Sequence, residues 1–334
     1  MRGPRDFHPT LILPMIASNW RIKTQLRAAA TFAVLFALFG CRPVGFTPTR
    51  NPQVPLRVVC TTGIVADLVR EVGGDRVRLD ALMGPGVDPH LYKPTARDKW
   101  RINNADVVFY NGLHLEGRLA ALLEKRGRIL PVFAVTEALK AREAHRLIRA
   151  GEGQDAYDPH VWFDPSLWTR CVEFVAEKLA EMDPEGAEYY RRNAEAYQAR
   201  LQELEAYTRA RLSEVPATQR MLVTAHDAFA YFGRAFDLEV RSLQGLSTQD
   251  EAALSRVNQL VDLLVRRKIK AVFVESSVSP RNIQALVEGC RAQGHDLRIG
   301  GELFSDALGP SGTPEATLIG AFKANVETIV EGLR

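Results

Sequence analysis

Histidine is scarce in this 334-residue chain, with seven copies, and cysteine scarcer, with four. No Cys-x-x-Cys pair occurs, so a zinc site held by closely spaced thiolates is excluded. Neither His-Glu-x-x-His nor Gly-x-Ser-x-Gly is present, and the hydrolase chemistry those motifs carry loses its usual sequence support. The apolar run from Ala28 to Phe39 falls short of the roughly 20 residues a membrane-spanning helix needs. A basic excess is also missing from the body of the chain. Residues 1–40 hold five of the 43 Lys and Arg and one of the 40 Asp and Glu, so residues 41–334 carry 38 against 39, a net charge of −1. That balance removes the electrostatic case for nucleic-acid binding.

Arg21, Lys23 and Arg27 precede the apolar run, which ends in Leu38-Phe39-Gly40-Cys41. This is the pattern of an export signal with a small residue at the processing point, and Met15 is an alternative start, since the residues before it add nothing a signal needs. Leu-Phe-Gly-Cys resembles a bacterial lipobox. The resemblance implies a lipoprotein signal over 1–40, with Cys41 lipidated and the protein tethered to the membrane rather than spanning it. The remaining cysteines, Cys60, Cys171 and Cys290, are odd in number and read as small buried hydrophobes rather than disulfide partners.

Residues 41–55, with Pro43, Gly45, Pro48, Pro52 and Pro55, read as a flexible tether. From Leu56 onward, strand-like runs (Arg57 to Thr62, Val77 to Leu82, Asp106 to Tyr110) alternate with amphipathic stretches such as Ile64 to Val72, which stops at Gly73-Gly74. Such alternation predicts βα units and a mostly parallel sheet. Glu185 to Glu214 lacks proline, holds Gly186 as its one glycine and is rich in helix formers, which predicts a single long helix. Strand-like runs resume at Met221 to Thr224, Ala271 to Glu275 and Leu297 to Ile299, and Ser279-Pro280 and Thr313-Pro314-Glu315 read as helix starts. The expectation is an α/β protein of two lobes with mostly parallel sheets flanked by helices, one at 56–183 and one at 216–334, joined by a rigid helix over 184–215.

The rare histidines are not scattered. Asp-Pro-His occurs twice, at Asp88-Pro89-His90 and Asp158-Pro159-His160, and His226 comes just after the run Met221 to Thr224. Asp306, in Gly301-Glu302-Leu303-Phe304-Ser305-Asp306, is a fourth donor. The spacings of 70, 66 and 80 positions cannot come from one short loop. If these groups converge, they do so as loop tips at the carboxyl ends of strands, where open α/β sheets bind ligands. Glu275, at the end of its strand, is a candidate either to orient a ligand histidine or to enclose the site. His114 reads as a polar residue at a helix start, His145 as exposed and His295 as part of a turn, while His8 belongs to the leader.

Together these motifs resemble the zinc and manganese solute-binding lipoproteins of bacterial ABC importers. The resemblance runs along nearly the whole chain after the leader. It is carried by Asp88-Pro89-His90 with Tyr92 and Pro94-Thr95, Asn111-Gly112-Leu113, Asp158-Pro159-His160-Val161-Trp162, His226-Asp227-Ala228-Phe229, Gln244-Gly245-Leu246-Ser247-Thr248, Phe273-Val274-Glu275-Ser276-Ser277 and Gly301 to Gly309. It implies His90, His160, His226 and Asp306 as metal ligands in a cleft between lobes. It also implies delivery of the ion to a permease and, through it, an ATPase subunit, from a lipid-anchored monomer in the periplasm or at the cell surface.

The metal implied is Mn²⁺ or Zn²⁺. Three imidazoles and a carboxylate suit zinc; the family's manganese members can carry glutamate where His226 stands, and its zinc members can carry a histidine-rich loop where this chain has only His145 between Glu137 and Tyr157. Neutral imidazoles with one carboxylate leave a divalent ion at +1, and protonation of the imidazoles predicts affinity falling steeply below about pH 6. Two other functions compete with this reading: a metal-dependent hydrolase, and a binding protein for an organic or chelated-metal ligand on the same fold.

Overall fold

The computed structural model describes residues 54–150, 156–249 and 253–334. The signal over 1–40, Cys41 and the tether up to residue 53 lie outside them. The described residues form one compact unit. Among the described residues, no helix is long and apolar enough to cross a membrane.

The first sheet is built from β1 (Leu56–Cys60), β2 (Val77–Ala81), β3 (Val107–Tyr110) and β4 (Val132–Ala134), in the order β2-β1-β3-β4 with every pairing parallel. Val107, Val108 and Phe109 are all buried, the near-continuous apolar pattern of a strand covered on both faces. Helix α1 (Gly63–Gly73) is capped by Thr62, whose hydroxyl accepts from the Val65 N–H at 3.2 Å, and it ends at the expected glycine pair. Helix α2 (Ala96–Asn103) starts with a reciprocal Thr95–Asp98 capping box. Helices α3 (Ala120–Arg126) and α4 (Glu137–Arg142) complete the βα succession, and α5 (Pro165–Met182) begins with Asp164 as cap and proline in its first turn.

Helix α6 (Ala187–Leu212) is the long helix foreseen between Glu185 and Glu214, with 26 residues and a length of about 39 Å. Its start is later than expected because Pro184–Gly186 forms a separate 3-10 turn. Tyr190, Ala194, Tyr197, Leu201, Leu204, Thr208 and Leu212 give it one buried stripe, and it packs against α1, α5 and α10 (Leu318–Leu333). The strands before α6 form the four-stranded sheet; those after it pair as β5 (Met221–Thr224) with β6 (Glu239–Ser242), and β7 (Ala271–Glu275) with β8 (Arg298–Leu303), again parallel. Helices α7 (Ala230–Phe236), α8 (Leu254–Arg267) and α9 (Arg281–Ala292) complete this half.

Three local expectations are corrected. Strand β8 does not stop at Ile299 but runs through Gly300 and Gly301 to Leu303, with a register shift opposite Val272 and Phe273. Gly301 has φ 149°, and a Cβ on Gly300 would lie 2.7 Å from the Phe273 ring, so both glycines extend the strand rather than break it. Pro280 occupies the N-cap of α9, one residue before the helix proper. Thr313-Pro314-Glu315 opens a 3-10 turn, and Thr317 caps α10 instead. The three cysteines are free and buried, as their apolar surroundings implied.

Candidate metal centre

The four donors foreseen from sequence come together. His90 lies in the loop after β2, His160 in the loop before α5, His226 two residues after β5 and Asp306 three after β8, and all four are buried. One donor atom from each lies within 4.8 Å of every other. Asp306 Oδ2 is 3.4 Å from His90 Nε2 and 3.2 Å from His226 Nε2, its Oδ1 is 3.4 Å from His160 Nε2, and the Nε2 atoms of His90 and His160 are 3.3 Å apart. Bonds of about 2.0–2.1 Å to a tetrahedral zinc would put donor atoms about 3.3–3.4 Å from one another. These four separations, 3.2–3.4 Å, are close to that spacing, and the carboxylate turns both oxygens inward.

Two of the three imidazoles are aimed from behind, and the third is held through its backbone. Asp158 Oδ1 accepts from both the His160 backbone N–H at 2.9 Å and its ring Nδ1 at 2.7 Å, which leaves Nε2 with its lone pair facing the cluster. Glu275 does the equivalent for His226: Oε1 accepts the backbone N–H at 2.9 Å and Oε2 lies 2.6 Å from Nδ1. Asp88 Oδ1 accepts the His90 N–H at 2.8 Å. Two aromatic residues lock the loops beneath, each three positions beyond a histidine. Phe163 and Phe229 have ring centroids 4.4 Å apart, and both belong to a cluster with Phe232 and Phe322. The edge of Trp162 meets His160 at 5.3 Å, while its indole N–H donates to the Ser305 carbonyl at 3.2 Å, beside Asp306.

A further chain of contacts supports the second Asp-Pro-His. The buried Glu116 carboxylate accepts from Thr61 Oγ1 at 2.7 Å and from the Asn111 N–H at 2.6 Å, and the Asn111 amide donates to the Pro159 carbonyl at 3.0 Å. Burial raises the Glu116 carboxyl above its usual range against the pull of these donors. His114, Glu116's near neighbour, is not at a helix start: it has φ 67°, is exposed and stays outside the cluster. His145 lies outside the cluster as well, and His295 Nε2 is 2.7 Å from the Ile269 carbonyl oxygen in its turn.

The electrostatics are lopsided. Asp306, Glu275 and Asp158 are three buried carboxyl groups, and no lysine or arginine among the described residues pairs with them. Burial by itself would lower the His226 pKa, yet the charges of Glu275 and Asp306 hold it well above the ordinary imidazole value. Burial would likewise raise the Asp306 carboxyl, but His226 and His160 outweigh it and hold it well below the carboxylate range. The pocket is therefore built for positive charge, more strongly than four donors alone would make it.

A family model described as zinc-uptake complex component A, periplasmic (ZnuA), matches residues 58–332. This chain belongs to that family. The manganese-binding lipoprotein MntA of Bacillus subtilis is 45% identical over 313 residues, covering 94% of this chain and 100% of that protein. The zinc-binding protein TroA of Treponema pallidum is 44% identical over 277 residues, covering 83% and 88%. The solved structure of the T. pallidum periplasmic zinc-binding protein superposes with a TM-score of 0.80 at 42% identity, covering 84% of this chain and 99% of that one. The two relatives are almost equally similar and carry the names of different metals, so likeness does not choose between Mn²⁺ and Zn²⁺. Asp158, Asn111 and Glu116 had no individual role legible in the sequence, although the repeated tripeptide was itself the signal for Asp158.

Proposed function

We propose that this chain is the extracytoplasmic solute-binding component of an ABC importer, capturing Mn²⁺ or Zn²⁺ among His90, His160, His226 and Asp306 and delivering it to a membrane permease. One observation carries the reading. Neither Asp306 oxygen accepts a hydrogen bond from a hydroxyl, amide or peptide N–H; instead three imidazole Nε2 atoms face them within 3.4 Å. A buried carboxylate in that setting is costly unless a cation neutralises it, and a divalent ion also uses the three nitrogen lone pairs. Glu275 and Asp158 add negative charge behind the imidazoles, which revises the simple tally of +1 for the bound ion and favours tight holding. Four inward donors leave no open position for an activated water, so no enzymatic step is assigned.

Family membership and the lipoprotein name of the B. subtilis relative support the rest of the reading. It comprises a signal over 1–40, lipidation at Cys41, a tether over 41–55, lobes at 56–183 and 216–334 with the helix of 184–215 between them, and a monomer outside the cytoplasm that meets a permease and, only through it, an ATPase subunit. Calorimetric titration of His90→Ala, His160→Ala and Asp306→Ala with Zn²⁺ and Mn²⁺ tests the site. Each substitution is expected to lower affinity by orders of magnitude while the circular dichroism spectrum stays that of the parent. Parental stoichiometry and affinity in all three would overturn it.

A further inference from the structure

The two Asp-Pro-His tripeptides are used differently. In both, the aspartate accepts the backbone N–H of the histidine two residues on, at 2.8 Å for Asp88 and 2.9 Å for Asp158. Asp158 then turns the same oxygen to the ring of its own histidine. Asp88 does not: its second oxygen accepts from Thr248 Oγ1, in the loop after β6 and 160 positions along the chain. The neighbouring Gln249 donates through Nε2 to the His90 carbonyl at 3.4 Å. A Cβ on Gly117 would lie 3.6 Å from that Nε2, an ordinary contact distance, so the amide is seated against the segment at Gly117. On its other side the same loop meets the segment after β7, where a Cβ on Gly86, whose φ is 70°, would lie 3.5 Å from the Ser276 carbonyl oxygen. The loop that carries His90 is thus fastened by polar side chains to segments from the other side of α6, whereas the His160 loop is braced within its own half through Asn111 and Glu116 and across α6 mainly by the aromatic packing of Trp162 and Phe163.

We infer that Thr248, through Asp88 and assisted by Gln249, is a latch that holds the His90 loop over the bound metal and sets the rate at which the metal leaves. Thr248 and Gln249 touch none of the donor atoms, so they are positioning residues, and the inference rests on the site proposed above. The physical reason is that the His90 backbone N–H is bound to Asp88, so a withdrawal of the loop from Asp306 carries Asp88 with it. Withdrawal then requires a hydrogen bond to a partly buried carboxylate to break, and such bonds are stronger than those between neutral groups.

The test uses the full-length protein loaded with one equivalent of Zn²⁺ and mixed with excess EDTA, the release followed by stopped-flow. Thr248→Val is expected to speed release roughly tenfold, the effect of losing one charge-assisted hydrogen bond, with zinc stoichiometry and melting temperature unchanged. Thr248→Ser, which keeps the hydroxyl, should restore the parental rate, and Gln249→Ala should give a smaller acceleration. A parental release rate in Thr248→Val, or a Ser variant as fast as the Val variant, overturns the latch and leaves the metal site standing. A parent protein that binds no Zn²⁺ overturns the site reading, and the latch with it.

Discussion

At His226 two carboxyl groups face one imidazole, Asp306 at Nε2 and Glu275 at Nδ1. Because they raise its pKa well above 6.5 despite burial, the metal-free protein carries a proton there near neutral pH, and a metal ion must displace it. Lowering the pH therefore favours the proton and weakens the metal, and the weakening begins above the ordinary imidazole range rather than at pH 6. Asp306, held well below its usual range, does not compete for protons in this window. Zn²⁺ titrations across about pH 8 to 6 should show affinity falling by up to about tenfold per pH unit for each proton displaced. Glu275→Gln should weaken binding about 10- to 100-fold and move the fall to lower pH, since His226 loses the charge that raises its pKa. A flat pH response in the parent, or an unmoved one in Glu275→Gln, contradicts this account. The four donors were legible in the sequence because rare residues recur at equivalent places, after strands and before helices. The hydroxyl of Thr248 and the amide of Asn111 were not, since a contact spanning 160 or 48 positions leaves no local pattern.

Among the elements, the long helix and the parallel strands were readable from residue choice alone: helix formers without interruption in α6, and buried apolar runs in β3 and β5. Boundaries were less so, and for tertiary reasons. Gly300 and Gly301 look like a turn, but they extend β8 because α10 and the Phe273 ring approach too closely for side chains. The start of α10 is shared in the same way, its Leu318 N–H donating at 2.9 Å to Asp67, a buried residue of α1. Burial pushes the Asp67 carboxyl up to about 6, against the pull of that N–H. Its folded value exceeds its unfolded one, so the fold loses stability as pH rises from about 4 through 6, by about 3 kcal/mol. Asp67→Asn keeps an acceptor for Leu318 and removes the charge. Thermal or urea unfolding should find it more stable than the parent by up to about 3 kcal/mol at pH 7.5 and close to it near pH 4. A variant that is less stable at both pH values would show that the ionised carboxylate holds α1 to α10.

For the molecule as a whole, a sequence short of histidine and cysteine places three histidines and an aspartate from four distant loops at one buried point. The two tripeptides announced half of that point. The other half, and the braces behind it, depended on the β5–β6 and β7–β8 pairs, whose loop ends no local pattern aligns. The near-neutral charge after residue 40 supplies no broad field of one sign to steer a charged partner. Elemental analysis of the untagged protein, with competitive titration of the stripped protein by Zn²⁺ and Mn²⁺, decides whether the four donors hold a metal. One divalent transition metal per chain is expected, removable by chelator and restored by either ion at a single site. A protein that retains no such metal and takes up neither ion at one equivalent would contradict it.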